Sequence, residues 1–196
     1  MLLPMLRRFV PMLAFILGAS CCLVAQSTMG MPLGHVEQET KSADVRELVS
    51  KYCRLDYEGD RLDEKSWAKL QPLVSWRSNP EYAEINVISR YTVDTDPPSN
   101  KGKFAVTVHY RLLGSYNLGI GYVREPANQT VEYTVTDSNG DLRITDSENN
   151  LPHPSRAAML KWLNDKLNAT QDDKAKLRYQ QALKQLQAQP ASPFAN

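Results

Sequence analysis

Cysteine, histidine and net charge are what this sequence has least of. Its 196 residues hold three Cys and three His, and 23 Lys+Arg stand against 22 Asp+Glu, a formal charge of +1. So even a balance excludes a strongly basic nucleic-acid module and an acidic tail. His35, His109 and His153 lie far apart, with no His-x-x-x-His or Cys-x-x-Cys spacing, so the sequence carries no metal-ligand pattern. Gly114, Gly119 and Gly121 precede no Gly-Lys-Ser/Thr ending, which removes a phosphate loop, and no Gly-x-Ser-x-Gly elbow occurs. No cofactor is implied. Long apolar runs are scarce too, and the one clear case is at the N-terminus.

That run is an export signal by its layout. Arg7 and Arg8 precede the apolar stretch Phe9–Val24, and small residues follow. The best cleavage site lies after Ala25, giving a signal peptide at 1–25 and a periplasmic or secreted protein. An uncleaved membrane anchor is the competing reading, but a span needs roughly 20 apolar residues, and Pro4 and Pro11 weaken a long helix. Lipid attachment at Cys21 is a third. Gly18-Ala19-Ser20-Cys21 has Gly18 where a bacterial lipobox has a large aliphatic residue. Loss of the first 25 of 196 residues leaves 171. Arg7 and Arg8 go with them, taking 23 basic residues to 21 against 22 acidic. Cys53 is then the one remaining cysteine and cannot close an intramolecular disulfide. It sits on an apolar helical stripe and reads as a buried, inert thiol rather than a nucleophile.

Along the mature chain, 26–41 reads as a linker, because Gly and Pro occur without periodicity. Ser42 is a candidate helix cap, and Val45, Leu48, Val49, Tyr52 and Cys53 follow the spacing of one buried helical face up to Glu58-Gly59. Asp63 opens a second predicted helix with Trp67, Leu70 and Val74; Pro72 lies near its end. Trp67 and Trp76 read as core or rim residues. The period then changes to two. Ile85, Val87, Ser89, Tyr91 and Val93 form one face of a predicted strand, and Phe104, Val106, Val108, Tyr110 and Leu112 form the cleanest one. Residues 114–128 read as a long, partly stranded loop. Val131, Tyr133 and Val135 alternate again, and Asn139-Gly140 is a strong hairpin signal before Leu142 and Ile144. Strands that succeed one another without helices between them predict an antiparallel sheet.

Two helices are predicted to close the chain as an extension at 151–188. Ser155 caps the first, which carries Met159, Leu160, Leu163 and Leu167. Thr170–Asp173 has capping-box spacing ahead of Ala175, Tyr179, Ala182, Leu183 and Leu186. The last helix is basic with a narrow apolar stripe. Docking on its own domain is the plain reading, with a second subunit or an anionic membrane surface as alternatives. Residues 189–196 read as a frayed tail. Asn128-Gln129-Thr130 and Asn168-Ala169-Thr170 match a glycosylation acceptor, which matters only in a eukaryotic secretory route.

Helices followed by a run of antiparallel strands make an α+β order. With Tyr52-Cys53-Arg54-Leu55-Asp56-Tyr57-Glu58-Gly59 and the hairpin Glu132–Asp146, which includes Gly140-Asp141-Leu142-Arg143-Ile144, the stretch Ala43–Asp146 resembles the nuclear transport factor 2-like superfamily, and within it exported bacterial members. The resemblance implies N-terminal helices packed in a curved antiparallel sheet, a cone with a cavity, within a domain at 42–150. The superfamily includes ketosteroid isomerase, scytalone dehydratase and polyketide cyclases beside many domains without chemistry, so fold does not decide function.

Enzymes of that shape use a carboxylate or His base with Tyr or Asp donors. The candidates for catalysis are Asp56, Tyr57 and His109, and for ligand contact Tyr91, Tyr110 and Tyr133. His109 alternates with Val108 and Tyr110 and shares its face with Ala105, Thr107 and Arg111, a solvated face by pattern. Asp56 and Tyr57 fit a cavity mouth, although pairing of Asp56 with Arg54 or Arg61 is the plainer role. Two functions follow: a non-catalytic exported domain binding a small apolar ligand or a protein partner, or a cofactor-independent lyase or isomerase. A homodimer is left open.

Overall fold

A computed structural model describes residues 33–95 and 102–189, all within a unit that begins at Pro32. The predicted signal peptide at 1–25, with Cys21, and the predicted tail from residue 190 lie outside the described residues. The fold is α+β, a curved five-stranded antiparallel sheet with helices at both ends of the chain.

Helix α1 spans Leu33–Tyr57 and presents Val45, Val49, Tyr52, Cys53 and Asp56 to the interior. It begins before Ser42, so much of the stretch read as a linker is helical. Between Gly34 and Gly59 no Gly or Pro interrupts it, and Glu37, Gln38, Glu39 and Lys41 are good helix formers. Gly59, at φ 91°, ends it in a left-handed conformation that a side chain resists.

The helix expected from Asp63 is instead a set of 3-10 turns, among them Trp67–Lys69 and Gln71–Leu73. Their hydrogen bonds step back three residues, as from Leu70 N–H to the Trp67 carbonyl and from Leu73 N–H to Leu70. Trp67, Leu70 and Leu73 are buried at the spacing of three that such turns require. Pro72 has no N–H for the longer α-helical bond.

Strands β1 (Glu84–Thr95), β2 (Lys103–Asn117), β3 (Gly121–Val123), β4 (Ala127–Ser138) and β5 (Asp141–Ser147) form the sheet. The order is β1-β2-β4-β5, with β3 against the far end of β2. The segment read as a long loop is therefore largely stranded; β3 and β4 both pair with β2, and Pro126 stands in the gap between them. Asn139 (φ 58°) and Gly140 (φ 87°) make the predicted tight turn between β4 and β5.

Two buried clusters stabilise the domain, each large apolar side chain contributing roughly 1.5–3 kcal/mol before entropy is set against it. One lies between α1, the 3-10 turns and the sheet, and includes Val49, Tyr52, Leu70, Val106, Tyr110, Tyr133 and Ile144. The other joins Ile85, Val87, Leu113 and Tyr116 to helices α2 (Arg156–Ala169) and α3 (Asp173–Ala188). Strict alternation along β1 fails for this reason. Register shifts around Ile88 put Ile85 and Val87 in the second cluster, and Ile88 and Val93 in the first.

Ser155 caps α2 as expected, accepting from Ala158 N–H at 3.1 Å. The cap of α3 is Asp172, which accepts from Lys174 and Ala175, rather than Thr170. Helix α3 docks on its own domain through Ala182, Leu183 and Leu186. Arg156 holds the end of that helix by donating to the Leu186 and Gln187 carbonyls. Gln189, expected in the frayed tail, is buried and bridges the Tyr122 hydroxyl and the Leu113 carbonyl. Among the described residues no helix is long and apolar enough to cross a membrane.

Candidate functional site

Asp56 and its surroundings form the first candidate site. The last buried turn of α1 carries Tyr52, Cys53 and Asp56 toward the sheet, where Tyr110 and Tyr133 face them from β2 and β4. The Tyr110 and Tyr133 hydroxyls hydrogen-bond at 2.9 Å, and the Cys53 Sγ is 3.4 Å from Tyr110 Oη. Tyr52 meets Tyr133 edge-on at 5.7 Å between centroids. Burial drives both hydroxyls well above their ordinary pKa, and pushes the Cys53 thiol up to about 12. All are neutral at physiological pH.

Asp56 is 1% exposed. Its Oδ2 accepts from the His153 backbone N–H at 3.0 Å and lies 3.6 Å from His153 Nδ1. His153 stands between Pro152 and Pro154 in an extended segment whose carbonyls receive the Asn86 and Ile88 N–H groups. Its ring stacks on Tyr110 at 4.0 Å, and Nε2 is 3.0 Å from Gln129 Oε1. That oxygen also accepts from the Asn86 amide at 3.2 Å. Asp56 Oδ1 and His153 Nδ1 are buried without hydrogen-bond partners.

Arg61 is buried nearby and donates to the Leu151 and Asn150 carbonyls at 3.1 and 2.7 Å. Burial opposes its charge, but Tyr52 and Asp56 favour it, and its pKa is held above the ordinary value. No contact among the described residues pairs Arg54 with Asp56.

The other catalytic candidates are not brought to Asp56. Tyr57 is half-buried, donates to the Ser89 carbonyl at 3.2 Å and packs on Tyr91 at 5.8 Å. His109 is exposed on the other face of β2, with Nδ1 3.1 Å from Thr130 Oγ1 and Nε2 3.1 Å from Asp94. Of the ligand-contact candidates, Tyr110 and Tyr133 are interior groups, and Tyr91 is half-exposed.

The second candidate is an open groove of about 480 Å³, lined by Arg90, Tyr91, Thr92, His109, Tyr110, Arg111, Asn128, Gln129 and Thr130. Strand pairing explains its make-up. Arg90 lies opposite Arg111 and Arg111 opposite Asn128; Thr92 lies opposite His109 and His109 opposite Thr130. Residues directly opposite share a face, so these make two adjoining polar rows on the outside of the sheet.

His153 and Gln129 were not legible as site residues. The Pro-His-Pro setting signals extended backbone, but nothing local says what lies beside it. Among the described residues no group of His, Cys, Asp or Glu is placed to hold a metal ion. Comparison with protein-family models, with curated proteins and with solved structures finds no match to this chain.

Proposed function

We propose that this is an exported, non-catalytic domain of the nuclear transport factor 2-like type that binds a protein partner through the outside of its sheet. The observation that carries the reading is the packing inside the cone. Tyr52, Tyr110, Tyr133 and Cys53 fill the space between α1 and the sheet, and the Tyr110 hydroxyl meets both the Tyr133 hydroxyl and the Cys53 sulfur. An apolar ligand would have to displace them, and a substrate would have to reach a carboxylate that is 1% exposed. The open groove on the outer face asks for neither. Export rests on Arg7, Arg8, the apolar stretch and Ala25.

Photo-crosslinking tests this. A benzophenone side chain is placed at Thr92 or Thr130, and a control at Lys161 on α2, in the full chain expressed in its own host. The expected result is one discrete adduct in the envelope or secreted fraction from the groove positions only. Equal labelling from Lys161, or binding of an apolar fluorescent probe to the native protein, would overturn it.

The lyase or isomerase reading keeps one supporting observation, the buried Asp56–His153 pair with an unpartnered atom on each residue. It requires Tyr110 and Gln129 to move aside and admit substrate.

A further inference from the structure

The large apolar side chains left exposed among the described residues are Leu118, Ile120, Val123 and Leu177. Three of them belong to the hairpin that joins β2 to β3, and Ile120, at 76% exposure, stands in its turn. The fourth is on α3, beside Arg178, whose guanidinium donates to the Gly119 carbonyl at 3.4 Å. The exposed apolar side chains thus gather at one end of the domain, and such a gathering marks an interaction surface. The turn is also prepared for a dry setting. The Leu118 N–H donates to the Ala83 carbonyl at 3.0 Å, the Gly119 N–H to Asn117 Oδ1 at 2.9 Å and the Ile120 N–H to the Asn117 carbonyl at 3.2 Å. Each of these N–H groups keeps its partner when water leaves, and unpaired ones are what bar irregular backbone from lipid.

We propose that this end of the domain docks on a lipid bilayer. Leu118, Ile120 and Leu177 enter the boundary between headgroups and acyl chains, and Lys174 and Arg178 meet the phosphates of anionic lipids. Leu118, Gly119 and Ile120 are exposed in succession, a convex tip. A protein partner would need a matching hollow, whereas acyl chains close round any shape. Lys174, Leu177 and Arg178 fall at i, i+3 and i+4 on α3, so two cations flank the apolar side chain on one helix face. Apolar side chains bordered by Lys and Arg suit an interface, because the aliphatic stems lie in the apolar layer while the charges reach the headgroups. Asp173, in the same turn as Lys174, already engages Lys176 at 3.5 Å. The surface shares no residue with the groove on the outer face of the sheet.

The apolar stretch Phe9–Val24 can itself enter lipid, so the readout on the full chain is specific to position. An environment-sensitive dansyl side chain replaces Leu118 or, as a control, Ser138. The control lies by Thr136, which pairs with Lys103 at the start of β2, whereas the tip follows the end of that strand. The protein is mixed with phosphatidylcholine vesicles, with or without phosphatidylglycerol, that carry spin labels on their acyl chains. The probe at position 118 should shift to the blue and be quenched, more strongly with phosphatidylglycerol, and the probe at 138 should not. Ile120→Ala should lower the docked-to-free ratio about tenfold, the order expected for losing most of one buried aliphatic side chain. Ile120→Asp and Leu177→Asp, both at exposed positions, should each abolish the quenching. Lys174→Gln should cancel part of the gain from phosphatidylglycerol. Equal quenching at 138, quenching that survives both aspartate variants, or no gain from phosphatidylglycerol would each overturn the proposal. So would a blue shift that appears without lipid, either as the protein is concentrated, marking a second copy, or with a lipid-free host extract, marking a protein partner. Failure here leaves the outer-face reading standing, since that reading is decided by the crosslinks at Thr92 and Thr130.

Discussion

The Asp56 carboxylate holds the backbone of His153, 97 residues away, through a 3.0 Å hydrogen bond from its N–H. This bond fastens the end of α1 to the segment that runs beside β1 and leads into α2. The neighbouring bond from the Ser155 N–H to the Tyr57 carbonyl, 2.8 Å, belongs to the same junction. Asp56 thus acts on architecture, and two predictions in the interior follow from its burial and that of the tyrosines around it.

Asp56→Ala leaves the His153 N–H without its acceptor and removes a charge that favours buried Arg61. The expected destabilisation is about 3 kcal/mol. Asp56→Asn keeps an acceptor oxygen and should cost less. Urea denaturation midpoints check both. Equal midpoints for parent and Asp56→Ala would remove the structural role.

High pH should unfold the domain cooperatively. Tyr110 and Tyr133 have pKa values raised by burial well above 10, and burial pushes Tyr116 up to about 12. Groups raised in the folded state contribute stability that is fully present below their unfolded pKa. Above it the unfolded chain sheds protons that the folded chain retains, so stability falls as pH climbs past about 10. Ultraviolet titration should show these phenols ionising together with the loss of circular dichroism. Smooth ionisation in a fully folded protein would contradict this.

The β4–β5 turn is open to a direct check. Asn139 and Gly140 both have positive φ, and a Cβ at Gly140 would meet nothing within 4 Å. The penalty for Gly140→Val is therefore backbone strain rather than a clash. It should be about 1 kcal/mol or more. Gly140→Asn, which tolerates that conformation better, should be milder. Thermal melts of the two variants give the comparison.

Local chemistry made several parts of this protein readable from the chain. The β4–β5 turn follows from Asn139-Gly140, because Asn tolerates positive φ and Gly has no Cβ to oppose it. The cap of α2 follows from Ser155, and β2 from apolar residues at period two. In each case the determining interaction lies within a few residues of the signal. Helix α1 begins ahead of Ser42, because a helix without an obvious cap leaves no local mark at its start. The turns after Asp63 carry apolar residues three apart, a spacing that suits a 3-10 turn and an α-helix alike. What only the tertiary structure decided are contacts between distant parts of the chain. Register shifts near Ile88 send one strand to two clusters, Gln189 is buried against Tyr122, and Asp56 meets His153 rather than Tyr57 or His109. The groove belongs to the same class, since Arg90, Arg111 and Asn128 become neighbours only when β1, β2 and β4 pair in register. Sequence period tells which face of a strand a residue occupies. Which residue stands opposite depends on the packing of the whole sheet.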